Sequence, residues 1–241
     1  MILYQFNFPI YGMMIFISLI MGAWFLGLFL KKNQENVREI FLFLTMYFCY
    51  ALFGGAMLCY MENHTFGLSS YGGAIGVLLA AIVFEKIKPS QGIFMKSVVL
   101  ALPLIYAISK LGCFFAGCCY GKETTSACGI TFLHSDFAPN GVKLIPTQLI
   151  MSGANLLHMA VLLVIARFAK KRGLVSGLYI CFYSIGRFLI EYLRNDDRGA
   201  VGALSTSQFY SIITLAAGLA YLAFNLTRKE KETQEEIHEE V

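Results

Sequence analysis

Seven stretches of the 241-residue chain are apolar, almost free of charge and of about the length a helix needs to cross a lipid bilayer, roughly 20 residues. They are Pro9–Leu30, Phe41–Tyr60, Thr65–Phe84, Pro89–Ser109, Leu144–Ala166, Leu174–Ile190 and Ala203–Thr227. Lys96 lies near the start of the fourth, and Arg187 interrupts the sixth. Hydrocarbon offers no hydrogen-bonding partner to an open strand, so such spans are helices. The expected fold class is therefore all-α: a polytopic membrane protein with about seven transmembrane helices. Hydrophobic residues make up 57% of the chain and charged residues 14%, against about 25% charged in soluble domains. These proportions exclude a disordered chain and argue against an ordinary soluble enzyme. The lipid bilayer is the expected partner, and nucleic acid is not.

Basic residues gather on the cytoplasmic side of membrane proteins. Thirteen of the 19 basic residues fall on one side of a seven-span arrangement: Lys31, Lys32, Arg38, Lys86, Lys88, Lys96, Arg167, Lys170, Lys171, Arg172, Arg228, Lys229 and Lys231. The N-terminus is accordingly expected outside and the C-terminus in the cytoplasm. No basic residue precedes the first run and Lys31-Lys32 follow it, so it reads as a span and not as a cleavable signal peptide. No repeat or low-complexity linker divides the chain. One transmembrane domain is expected over residues 1–227, with an external loop over about 110–145. A charged cytoplasmic tail, residues 228–241, follows with three basic and six acidic residues.

Long loops are often functional, and this one is rich in chemistry. It carries Cys113, Cys118, Cys119, Cys128, His134, Asp136 and the glycines Gly112, Gly117 and Gly121. Disulfides persist outside the cytoplasm, and at least one is expected among the four cysteines. The spacing Cys113-x4-Cys118-Cys119-x8-Cys128 is not a standard zinc pattern, so neither a metal nor another cofactor is expected. Cys49, Cys59 and Cys181 fall within spans, as small apolar residues do.

A second feature is charge at membrane depth, which is costly and functional by default. Tyr183, Arg187, Glu191 and Arg194 follow one another at steps of four, four and three, which places them on one face of a helix. An ion pair that anchors the helix end accounts for Arg194. Arg187 lies a full turn deeper, where a guanidinium calls for an anion. Glu191 supplies one, and a lipid phosphate, gripped bidentately, is another.

Four local patterns, in order between residues 69 and 194, resemble those of the phosphatidylglycerol–prolipoprotein diacylglyceryl transferases. Ser69-Ser-Tyr71-Gly72-Gly73 resembles the family's His-Gly-Gly segment. The run from Lys110 to Lys122, with Gly112, Gly117 and Gly121, is similar to its Arg-x-Gly-Asn-Phe-x-Asn-Gly-Glu signature. Pro146-Thr-Gln148-Leu149 resembles Pro-Ser-Gln-Leu-Tyr, and Tyr183 through Arg194 is similar to Tyr-Gly-x-x-Arg-Phe-x-x-Glu-x-x-Arg. Ser207-Gln208 before the last span also fits. The departures are equally specific. Tyr71 stands for His, Lys110 for Arg, Cys113 and Ala116 for the two Asn, Cys118 for Glu, and Met151 for a Glu after Gln-Leu-Tyr.

The resemblance implies a bacterial cytoplasmic-membrane enzyme with two partners, phosphatidylglycerol and a prolipoprotein signal peptide carrying a lipobox cysteine. The thiol would attack the glyceryl carbon next to the phosphate; glycerol phosphate leaves and a diacylglyceryl thioether remains. By that resemblance Arg187, Glu191, Tyr71 and Lys110 are the candidate catalytic residues. Arg187 and Lys110 would offset phosphate charge, and Glu191 would orient Arg187. The candidate substrate-binding residues are Gly72, Gly73, Gly112, Gly121, Gln148, Tyr183 and Arg194. For Gly72 and Gly73, close approach of a headgroup competes with close helix packing. Gln148 would bond a lipid ester or cap its helix. His158, mid-span, reads as a buried imidazole with satisfied nitrogens. Two alternatives stand beside the transferase: a divergent member with another acceptor, and a non-enzymatic membrane protein whose Cys-rich loop senses redox state or binds a partner.

Overall fold

A computed structural model of the chain describes residues 2–3, 9–64, 70–169, 173–195 and 200–239. The described residues form seven α-helices: α1 (Pro9–Lys32), α2 (Val37–Asn63), α3 (Ser70–Ile87), α4 (Ile93–Ala116), α5 (Thr147–Phe168), α6 (Leu174–Ile190) and α7 (Thr206–Glu239). Among the described residues all but α3 are long and apolar enough to cross a membrane. The chain is thus an all-α, multi-pass membrane protein. Helix α3 has 18 residues, about 27 Å of rise; the expected start of its span, at Thr65, lies outside the described residues.

Two boundaries depart from expectation. Helix α4 continues to Ala116, so Lys110, Gly112 and Cys113 belong to its last turns and not to the loop. Helix α7 runs on through the charged tail to Glu239. The tail sequence is mostly Glu, Lys and Gln, good helix formers, and nothing in it stops the helix that Thr206 begins.

The chain forms two compact units, Phe16–Ile105 and the discontinuous Met1–Ile15 with Tyr106–Val241. In the first, α2 and α3 pack backbone to backbone through glycines. A Cβ at Gly72 would run into the Gly54 carbonyl, and one at Gly76 into the Tyr50 carbonyl. Close approach through small residues is how membrane helices associate without a hydrophobic drive, and Gly72 is occupied by this contact. Gly73 is half-buried with ordinary clearance, 3.6 Å to the Ala51 carbonyl. At the other end of α3, Glu85 accepts hydrogen bonds from Ser90 N and Oγ, Gly92 N and Phe94 N. It thereby satisfies donors that the start of α4 would otherwise leave bare.

The second unit holds the ends of α1 and α4, helices α5 to α7, and a small β-structure built on the loop between α4 and α5. β1 (Ile2–Leu3) runs parallel to β2 (Ile130–Phe132), which pairs antiparallel with β3 (Lys143–Leu144). A hairpin of β4 (Ala200–Val201) and β5 (Leu204–Ser205) precedes α7. Phe114, Ile130, Phe132, Ala138 and Leu144 form the loop's own apolar core. That core fixes the chain that follows α4.

Candidate functional site

Arg187 sits on the last turn of α6, about 6% exposed. Its Nη1 donates to Glu191 Oε2 at 2.6 Å and its Nη2 to Ser207 Oγ at 2.5 Å. Glu191 and Ser207 thus fix both arms of the guanidinium in a buried setting, where such bonds are strongest. The four residues from Tyr183 to Arg194 do not share a continuous helical face, however. α6 ends at Ile190, Glu191–Leu193 form a 3₁₀ turn, and Arg194 is extended. The helix breaks because this backbone joins a ladder with the loop between α4 and α5. Arg194 pairs antiparallel with Gly121, Lys122 N donates to Leu193 O, and Asn195 N donates to Tyr120 O. Gly121 is required there, since a Cβ would lie 2.6 Å from Ile145 O and 2.8 Å from Leu193 O. The Arg194 side chain nevertheless returns to the cluster, with Nε 3.9 Å from Glu191 Oε2 and Nη1 3.8 Å from Met151 Sδ.

Arg187 forms part of the wall of a cavity of about 550 Å³ between α5 and α6, with Tyr106 of α4 also in its lining. Most of the lining is apolar, and its polar members include Asn155, His158, Tyr183 and Arg187. Tyr183 meets Tyr106 edge-on at 5.8 Å and stacks with Tyr179 at 6.0 Å. His158 stacks on Tyr179 at 5.3 Å, and its buried Nε2 has no hydrogen-bond partner among the described residues. The imidazole expected to be satisfied is therefore open on one nitrogen.

The signature segment builds the third part of the site. Lys110 is buried, its Nζ 3.7 Å from Cys119 Sγ, 3.9 Å from Cys113 Sγ and 5.0 Å from the Tyr106 ring centroid. The sulfurs of Cys113, Cys118 and Cys119 all lie within 4.8 Å of one another. Among the described residues no disulfide forms. The expected cross-link gives way to a polar cluster in which Lys110 bridges two sulfurs and Cys118 Sγ donates to Cys113 O at 3.8 Å. Cys128 is exposed.

Backbone geometry makes this convergence possible. Gly117 ends α4 with φ +73°, the left-handed conformation that glycine adopts freely. Cys119 has φ +61°, which costs a non-glycine residue about 1–3 kcal/mol. Thr147 Oγ1 donates to Cys119 O at 2.6 Å and Gln148 Nε2 to Cys118 O at 2.8 Å, so the start of α5 clamps the strained turn. Gln148 is fully buried and contacts the chain rather than the surface, and its Oε1 has no partner among the described residues. Sulfur hydrogen bonds from Cys113 and Cys118, then the Lys110 and Arg194 cations, pull the Cys119 thiol well below the usual thiol range against its burial. Hydrogen bonding with Cys113 and Cys119, with burial, pushes the Cys118 thiol up. Gly112 does not form an outer turn. It lies on α4 against α1, where a Cβ would be 2.9 Å from Met14 Cβ.

Lys110, Gly121, Gln148, Tyr183, Arg187, Glu191 and Arg194 thus belong to one compact unit and are linked by these contacts. Gly72 and Gly73 belong to the other unit, on α3, and the Tyr71 side chain lies outside the described residues. Asn155, His158 and Thr147 join the site without having been expected there. His158 carried a usable signal, an ionisable group in mid-span.

The profile of the prolipoprotein diacylglyceryl transferase family matches residues 1–224. The chain is 43% identical over 164 residues to phosphatidylglycerol–prolipoprotein diacylglyceryl transferase 2 of Clostridium perfringens, a match covering 68% of this chain and 63% of that protein. It is 33% identical over 236 residues to the phosphatidylglycerol–prolipoprotein diacylglyceryl transferase of Clostridium tetani, covering 92% and 94%. A third similar protein, of the same name, from Clostridioides difficile, is 36% identical over 166 residues, covering 68% of this chain and 63% of its own length.

Proposed function

The chain belongs to the prolipoprotein diacylglyceryl transferase family, and we propose that it transfers the diacylglyceryl group of phosphatidylglycerol to the thiol of a prolipoprotein lipobox cysteine in the bacterial cytoplasmic membrane. The observation that carries this reading is the placement of Arg187. A buried, doubly anchored guanidinium stands in the wall of a mostly apolar cavity of about 550 Å³. A phospholipid has the matching character, with acyl chains for the apolar lining and a phosphate for the guanidinium.

In the reaction the acceptor thiolate attacks the glyceryl carbon that carries the phosphate ester. The carbon–oxygen bond breaks, its electron pair leaves with glycerol phosphate, and a thioether forms. Negative charge grows on the departing phosphate, and cations held in a water-poor site stabilise it most when they need not reorganise. Glu191 and Ser207 hold Arg187 in that state, Arg194 adds a second guanidinium, and Lys110 supplies a third buried cation. Glu191 acts as the positioning residue for Arg187. The test is incubation of the purified protein, in phosphatidylglycerol-containing micelles, with a lipobox peptide. A peptide mass increased by one diacylglyceryl group is expected, with equimolar release of glycerol phosphate. Release without peptide modification would point to a different acceptor.

A further inference from the structure

We infer that Cys113, Cys118 and Cys119 bind one thiophilic metal ion, zinc(II) in the first instance, as three thiolate ligands with a fourth position open. Three sulfurs from a helix end and the turn after it converge to within 4.8 Å of one another. Tetrahedral zinc with bonds of about 2.3 Å separates thiolate sulfurs by about 3.8 Å, so side-chain rotation closes most of the gap. The convergence is built and not incidental. In an extended chain, neighbouring side chains point to opposite faces; φ +61° at Cys119 breaks that alternation and allows both vicinal sulfurs to face Cys113. Thr147 and Gln148 hold the carbonyls of the two vicinal cysteines in that turn. Three thiolates around a divalent ion carry one net negative charge. Lys110 Nζ, 3.7 and 3.9 Å from two of the sulfurs, is placed to offset it from outside the ligand set. Soft thiolate ligands select zinc(II) or copper(I) over hard cations.

The open position suggests a use, which rests on the transferase reading above. A thiol that coordinates zinc loses its proton outright. The acceptor thiol would bind there as thiolate and release its proton to solvent. It would attack the glyceryl carbon as the carbon–oxygen bond breaks, and depart from the metal as the neutral thioether. Such a site supplies the thiolate without a histidine where the related family segment has one and this chain has Tyr71.

The experiment is cobalt(II) and zinc(II) titration of the full chain, purified in detergent, reduced and stripped with a chelator. One equivalent of cobalt is expected to bind with a thiolate-to-metal charge-transfer band, displaced by zinc. Cys113→Ser, Cys118→Ser and Cys119→Ser should each abolish stoichiometric binding, while Cys128→Ser and Cys181→Ser retain it. Lys110→Met should weaken it about 10- to 100-fold. X-ray absorption at the zinc edge of the unmutated protein should count three sulfurs, rising to four with lipobox peptide; this arm does not depend on the folding of variants. Absence of the band, a band that survives the three serine variants, or a disulfide among the three thiols that re-forms without metal would overturn the site. Transfer at an unchanged rate by the stripped, zinc-free protein would remove the proposed use and leave the transferase reading standing. Zinc bound through three sulfurs with no transfer would sink the transferase reading and leave the metal site.

Discussion

Arg187→Lys retains the positive charge and removes the fork. The two arms of Arg187 have different partners, Nη1 with Glu191 at 2.6 Å and Nη2 with Ser207 at 2.5 Å. A single ammonium can hold one of them in that geometry and has fewer directed donors left for a phosphate. Loss of one charge-assisted hydrogen bond costs about 1.5–3 kcal/mol, which corresponds to about a 10- to 150-fold slower transfer. Arg187→Ala should be slower still, and it also strands Glu191, whose side chain is only 8% exposed. Breaking a buried pair in this way costs about 3–5 kcal/mol. The lower end applies here, because Arg194 Nε remains 3.9 Å from the same carboxylate oxygen. The two contributions separate in the double variant Arg187→Ala/Glu191→Gln, which removes the stranded carboxylate, at the cost of the Arg194–Glu191 pair. Its thermal stability in detergent should recover part of what Arg187→Ala loses, while its transfer rate stays low. The assay is kcat/KM for diacylglyceryl transfer to a lipobox peptide, alongside a melting curve for each variant. Transfer restored in the double variant would refute the reasoning, since the pair would then serve folding alone. So would a wild-type rate for Arg187→Lys.

Other outcomes follow from the packing. Gly76→Ala places a methyl group against the Tyr50 carbonyl and should destabilise by about 1–3 kcal/mol, whereas Gly153→Ala, with nothing within 4 Å, should be neutral or stabilise by up to about 1 kcal/mol; melting temperatures decide. Glu85→Ala leaves four donors of the α3–α4 turn without their acceptor and should lower the melting temperature more than Glu85→Gln, which keeps one acceptor oxygen. A reporter fused after Val241 should be active only in the cytoplasm, and activity confined to the outside would reverse the orientation drawn from the basic residues.

The helices and the charged residues among them were legible in the sequence because lipid makes structure local. With no water to satisfy the backbone, each span must close its own hydrogen bonds, so a charge-free run reads as a helix wherever it stands. The Leu174–Ile190 span coincides with α6. The Arg187–Glu191 pair, at 2.6 Å, is four residues apart in sequence. What lay outside that reach was decided by the tertiary structure. The break after Ile190 exists because Arg194 pairs with Gly121, more than 70 residues away. The charge of Lys110 ends the apolar run and reads as the start of a loop, yet α4 carries it through its last turns and buries it beside two sulfurs. The three thiols match no ligand spacing along the chain. Their meeting depends on a positive φ at Cys119 and on Thr147 and Gln148, 28 and 30 residues from the carbonyls they hold. Outside the hydrocarbon, water can satisfy the backbone and local rules no longer compel one conformation, so the loop's form is settled by the long-range contacts it makes.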